Sequence, residues 1–297
     1  MRPALIVLTF CPVIVMLMIG CKPKTAAFPE RNEQEFSQYW YNGQAEISSY
    51  TVSQSRYSAN HEGQSIFVFV TEDFSRRKHV KLERPETASS EAVKVMKLNA
   101  TEEFITGLYK YTVMNSVFTP IDLDSDPHSL KVTSGIQEWC GQSFIQAEWK
   151  SNRYDIRQMS YFENDGDADL SLAMGWLEDE LWTKIRIDPN ALPLGEVKLI
   201  PGFTYLRLSH VEKKVYKATT TLTPNGNRFV YRIEYPALHR SLDIAFEAAF
   251  PHRILGWKEM IGTNEMTTGQ ILNTIRSDYW KHNQPADTTL RGDLKLK

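Results

Sequence analysis

The chain has 297 residues, 42% hydrophobic and 11% aromatic, enough to bury a substantial core as one large domain or two smaller ones. Its 34 Lys and Arg against 36 Asp and Glu leave a net charge of −2. That balance argues against nucleic acid as a partner, since a nucleic-acid binder carries a basic excess, and three cysteines are too few for a disulfide scaffold.

Met1-Arg2-Pro3 carries one positive charge, and an apolar run from Ala4 to Ile19 follows, broken only by Thr9 and Pro12. Gly20-Cys21 then leads into the polar Lys22-Pro23-Lys24. Charged start, apolar core and small residue before the cut is the order of a secretory signal peptide. The run is shorter than the roughly twenty residues that span a bilayer. A cysteine directly after the small residue resembles the lipobox of bacterial lipoproteins, although Met18 stands where Leu is usual. The resemblance implies lipidation of Cys21 and membrane attachment through that lipid; ordinary secretion and a signal anchor are the alternatives. Lys22 follows the cysteine in place of an Asp, and no acidic run comes after it. By the same resemblance, this implies the outer membrane, facing the periplasm. The expected organisation is a signal peptide over 1–20, a lipidated tether over 21–35, a β-rich globular domain over 36–281 and a frayed tail over 282–297. Cys11 would leave with the leader, and if Cys21 is acylated Cys140 has no disulfide partner and reads as a small buried residue.

In chain order, Phe36-Ser37-Gln38-Tyr39-Trp40-Tyr41 opens the domain as an aromatic group, read mainly as packing at the rim of the sheet. A strand is expected from Ala45 to about Tyr57, a turn at His61-Glu62-Gly63, and a buried strand over Ser65–Thr71. Residues 75–90 read as irregular. Strands follow over Ala92–Asn99, Tyr109–Phe118, from Leu130, over Gln142–Trp149 and over Tyr154–Phe162. One helix is expected from Ser171, as N-cap, to about Arg186. Leu172, Trp176, Leu177, Leu181, Trp182 and Ile185 recur at three- and four-residue steps, with Glu178, Asp179, Glu180 and Lys184 between them. Strands resume over Glu196–Ile200, Phe203–Leu208, Val215–Thr223 and Arg228–Tyr235, the last two joined by Pro224-Asn225-Gly226-Asn227, a hairpin signal. Leu242–Phe246 and Arg253–Ile261 are further strands, and Gln270–Trp280 is a strand or a helix. The fold class is therefore mainly β: a large curved antiparallel sheet, an open barrel or a sandwich, with one central amphipathic helix around 171–186. A two-domain split near residue 165 is the alternative.

Two constellations could carry chemistry. Glu163, Asp165, Asp167 and Asp169 lie within seven residues, and alternating Asp can present oxygens to calcium. The EF-hand pattern fails, because Leu170 and Trp176 stand where Gly and Glu are required, so the stretch reads as a solvated loop. Glu138-Trp139-Cys140-Gly141 could supply a thiol nucleophile, but the segment reads as core packing. The seven histidines show no metal-ligand spacing, and no nucleophile elbow or phosphate loop occurs, so no metal or cofactor is expected.

Several phrases resemble an uncharacterised family of bacterial envelope lipoproteins: Tyr41–Glu46, Phe69–Phe74, Gln137–Gly141, Leu177–Trp182 and Ile233–Pro236. Members of that family are sometimes labelled septum formation inhibitor Maf, but the Ser-x-Ser-Pro-Arg-Arg type motif of Maf pyrophosphatases is absent, and that function is not carried over. Arg186-Ile187 followed by Leu192-Pro193-Leu194-Gly195 looks like curved-sheet periplasmic proteins with some likeness to lipoprotein carriers, an analogy of fold alone. The expected function is a non-enzymatic binding or structural lipoprotein, with an apolar, glycan or protein ligand. The alternative is a periplasmic hydrolase whose site joins Glu138–Cys140 to Tyr161–Asp169 and a histidine.

Overall fold

The structure, a computed structural model, describes residues 28–87 and 90–296, so the expected leader and Cys21 lie outside the described residues. Sixteen strands form one sheet: β1 (Ala45–Arg56), β2 (Ala59–Ser75), β3 (Val80–Lys81), β4 (Ala92–Thr106), β5 (Tyr109–Pro120), β6 (Lys131–Glu138), β7 (Gly141–Lys150), β8 (Arg153–Ser160), β9 (Ala168–Leu172), β10 (Trp176–Leu177), β11 (Gly195–Ile200), β12 (Tyr216–Asn225), β13 (Arg228–Tyr235), β14 (Arg240–Glu247), β15 (Ile254–Ile261) and β16 (Glu265–Ser277). Three α-helices accompany it: α1 (Glu33–Trp40), α2 (Glu178–Ile187) and α3 (Phe203–Leu208).

The order across the sheet is β10-β11-β12-β13-β14-β15-β16-β1-β2-β4-β5-β6-β7-β8-β9, with β3 attached to β2. Every pairing is antiparallel except β10 with β11. β1 lies between β2 and β16, so the two halves of the chain extend to either side of it. The two edges, β9 and β10, are consecutive in the chain, and only residues 173–175 separate them. A linker that short spans at most about 14 Å, so the sheet has to curl until its edges approach, without closing. Bulges at Ser49/Tyr50 and Ala245/Phe246 add local twist to this curvature. The concave face gathers the inward residues of nearly every strand, among them Phe67, Leu98, Val117, Val132, Tyr231 and Ile244, around Leu181 and Ile185 of α2.

Several expectations from sequence are corrected. The helix starts at Glu178, not near Ser171, because Ala168–Leu172 adds a strand to the β8 edge. Phe203–Leu208 is the short helix α3, not a strand, because the Asp179 carboxylate accepts the Phe203 N–H and caps its start. The first hairpin turns at Tyr57-Ser58, both at positive φ, and not at His61–Gly63. Gly63 instead sits inside β2 opposite Phe104, where a Cβ would meet the Glu103 carbonyl oxygen at 2.6 Å.

The expected tether ends earlier than residue 35. Phe28 is buried against Phe229 and Phe246, and Asn32 caps α1 by accepting the Gln34 and Glu35 N–H groups. On α1, Phe36 and Trp40 turn into the core while Tyr41 is exposed. The closing residues are not frayed. Pro285–Leu294 forms a 3-10 helix against β16, with Leu294 buried and its carbonyl accepting the Ser49 hydroxyl. The hairpin at Gly226-Asn227 stands where expected, with Asn225 paired to Arg228. No helix among the described residues is long and apolar enough to cross a membrane.

Candidate functional site

The feature that sets this fold apart is the surroundings of α2. Its apolar positions lie in the core as the periodicity implies, but its polar face is not solvated: Glu178, Asp179, Glu180, Lys184 and Arg186 are all buried. The curled sheet surrounds the helix, so the charged positions between its apolar ones meet protein groups and not water. A buried charge needs a partner, and each of these side chains reaches a different one.

Glu178 receives two hydrogen bonds from the Arg240 guanidinium, one of 2.7 Å from Nη2, and one of 2.8 Å from the Tyr235 hydroxyl. Arg240 also donates through Nε to Glu259 of β15. Asp179 accepts the Phe203 N–H at 3.1 Å, and burial, with the neighbouring Glu178 charge, pushes its pKa up to about 7. Glu180 accepts the Leu177 N–H at 3.1 Å, the Ser129 N–H and the Tyr154 hydroxyl at 3.2 Å, and lies 3.3 Å from His128 Nδ1. Burial would raise the Glu180 carboxyl, but His128, Lys184 and the Ser129 N–H together hold it below the usual range. These three acids occupy the first turn of α2, where the helix dipole favours negative charge.

At the other end, Lys184 donates to the Pro127 carbonyl and lies over the Trp176 ring. Arg186 makes two 2.6 Å bonds to Glu46 of β1, and both side chains are fully buried. Burial alone would raise the Glu46 carboxyl, but the Arg186 charge and hydrogen bonds, helped by Tyr39, keep it low. Bonds to β1, β8, β13, β14, α3 and the loop before β6 thus fix the helix as a plug.

The plug leaves a cavity of about 490 Å³ beside its N-terminal half. Its apolar wall holds Phe67, Leu98, Ala100, Val117, Leu242, Trp182 and Trp257. Phe67 and Trp257 stack at 5.4 Å, and Trp182 meets both edge-on at 5.6 and 5.8 Å. Gly269 of β16 makes this possible, since a Cβ there would lie 2.3 Å from the Trp257 ring. The polar wall carries Glu102, Glu178, Asp179, Arg240 and Glu259. Glu102 is half-buried on the cavity wall, and desolvation, with repulsion from Glu259, raises its pKa to about 7. A cavity of this size, with an aromatic apolar wall facing a wall of polar and charged groups, has the dimensions of a small-molecule site.

The residues singled out from sequence lie elsewhere. Cys140 and Trp139 are exposed at the β6–β7 turn, correcting the expectation of core packing; a two-residue turn at a hairpin end has nothing above it. Glu138 accepts the Cys140 N–H at 2.6 Å, and its hydrogen bond and charge push the Cys140 thiol pKa up, away from thiolate. Tyr161 lies over Gly141, so the two suspected segments do meet. They border a groove lined also by Met114, Phe144, Met159 and Asp167, and no histidine is among its lining residues.

The four acidic side chains diverge. Glu163 is exposed. Asp165 pairs with Arg207 at 3.2 Å and Lys213 at 3.7 Å. Asp167 accepts the Ser160 N–H at 3.0 Å, and Asp169 pairs with Arg157 at 3.1 Å. Among the described residues no group of three or more His, Cys, Asp or Glu is placed to hold a metal.

Sequence reasoning missed Glu102 and Glu259. The available signal was phase: Glu102 follows Leu98 and Ala100, and Glu259 follows Trp257, each at the inward parity of its strand. No protein-family model, no curated protein and no solved structure matches the chain.

Proposed function

We propose that the chain is a non-enzymatic lipoprotein of the cell envelope, anchored through Cys21 at the periplasmic face of the outer membrane, that holds a small amphiphilic or apolar ligand inside its curved sheet. The cavity of about 490 Å³ between α2 and the concave face carries this reading. Its aromatic wall provides apolar burial, at about 25 cal/mol per Å², and its polar groups provide orientation. The hydrolase alternative is not carried forward, because Glu138 pushes the Cys140 thiol pKa up, away from thiolate, and no histidine lines the neighbouring groove.

The test is recovery of a ligand. The full chain purified from membranes is expected to release a small apolar or amphiphilic molecule on solvent extraction, detected by mass spectrometry. Ala100→Trp, which fills the apolar wall, is expected to lose it while remaining folded. Equal recovery from both proteins would overturn the reading. The anchor has its own measurement: palmitate label is expected on the wild type and absent from Cys21→Ala, and label persisting in the variant refutes lipidation at this residue.

A further inference from the structure

The charges around the cavity do not balance. Five carboxylates line it, on Glu102, Glu178, Asp179, Glu259 and Glu265, against two guanidinium groups, on Arg56 and Arg240. Both cations are already engaged. Arg240 binds Glu178 and Glu259 and lies 4.1 Å over the Tyr205 ring. Arg56 donates to the Leu208 carbonyl and lies 4.6 Å over the Tyr57 ring. Glu102 is different: its carboxylate makes no hydrogen bond or ion pair among the described residues, and its charged neighbour is another carboxylate, Glu259. A half-buried carboxylate that no protein group pairs is left to whatever fills the cavity it lines, and its position says where a partner would sit. Trp182 and Trp257 line the same cavity, and their area shelters an apolar body.

We propose that the cavity takes a ligand with a positively charged amine on an apolar, ring-bearing or chain-like body, and that Glu102 is its counter-charge. The proposal rests on the cavity being a ligand site at all. A bare metal ion is a poorer complement, because no three-carboxylate cluster converges among the described residues. An anionic ligand would meet an excess of three negative charges when all the groups are ionised. Arrival of the amine also favours the ionised form of Glu102, whose carboxyl is otherwise held partly protonated near neutral pH.

The experiment uses the full chain in lipid nanodiscs, with empty nanodiscs as blank, and titrates three probes of one shape by calorimetry: phenylbutylamine, phenylbutanol and phenylbutyrate. The amine is expected to bind about tenfold or more tighter than the alcohol, equivalent to about 1.4 kcal/mol, and the carboxylate weakest. Glu102→Gln is expected to remove the amine preference while leaving alcohol affinity within about twofold. That variant breaks no hydrogen bond and relieves repulsion from Glu259, so its melting temperature should not fall. Equal affinity for amine and alcohol, or an amine preference that survives Glu102→Gln, overturns the counter-charge and leaves the cavity reading intact. Tightest binding of the carboxylate overturns it in favour of Arg240. Failure of all three probes to bind overturns both readings.

Discussion

Arg186 and Glu46 show how individual residues hold this molecule together. The pair is fully buried and bidentate, and Arg186 also donates to the Pro251 carbonyl at 2.9 Å and packs over Trp40 and Phe69. Removing one partner strands a charge without water. Arg186→Met is therefore expected to cost about 3–5 kcal/mol in urea unfolding. The double variant Arg186→Met with Glu46→Gln is expected to recover a large part of that, because it removes the orphaned carboxylate as well. A double variant as unstable as the single one would show that packing over Trp40 and Phe69, and not charge, dominates at this site. The same logic covers Glu178 with Arg240. These residues were visible in the sequence as charges on a helix, but their partners lie far away in the chain, so their burial was not legible.

At the level of elements, the strand pattern was readable and the helix pattern misled. β14 alternates strictly, with Arg240, Leu242, Ile244 and Phe246 inward, and even its inward arginine keeps the phase. The stretch from Ser171 to Arg186 also looks periodic, but a strand takes its first residues, since β8 offers an unpaired edge there. α3 depends on a cap from Asp179, a residue on another element, and no local signal announces that. β15 and β16 give the sharpest test. Gly269 leaves the space that the Trp257 ring occupies, so Gly269→Val is expected to push the indole into the cavity and to cost about 1–3 kcal/mol through overpacking. Near-UV circular dichroism and the melting temperature read both effects. An unchanged aromatic spectrum with unchanged stability would mean that the ring has somewhere else to go.

For the molecule as a whole, the buried carboxylates couple stability to pH. Asp179 and Glu102 have pKa values near 7 in the fold, against about 3.9 and 4.3 in an unfolded chain. Between those values the native state retains protons that the unfolded state has released, so their contribution is complete below pH ~4 and is lost as pH rises through 7. His79 and His252, lowered by burial, act in the opposite sense up to their unfolded pKa of about 6.5. Glu46 and Glu180 are lowered and titrate below this window. The clean measurement is consequently a difference. The stability of Asp179→Asn relative to wild type is expected to rise by about 2–3 kcal/mol between pH 5 and 8. A difference that stays constant with pH would show that Asp179 is already ionised at pH 5.

The sequence by itself determined the mainly β class, the run of antiparallel hairpins and the existence of one central helix. Each of these is a local property: alternation, turn residues, spacing of apolar positions. Tertiary structure decided the rest. It placed β1 between β2 and β16, curled the sheet until β9 and β10 came within a three-residue linker of each other, and covered α2 on every side. It also brought Glu102 of β4 to Glu259 of β15 across a cavity that no stretch of the chain foreshadows. Periodicity reports which face of a helix is polar, but not whether that face meets water or the charged interior of a sheet. That depends on partners such as Glu46 and Arg186, which lie 140 positions apart in the chain and meet only when it folds.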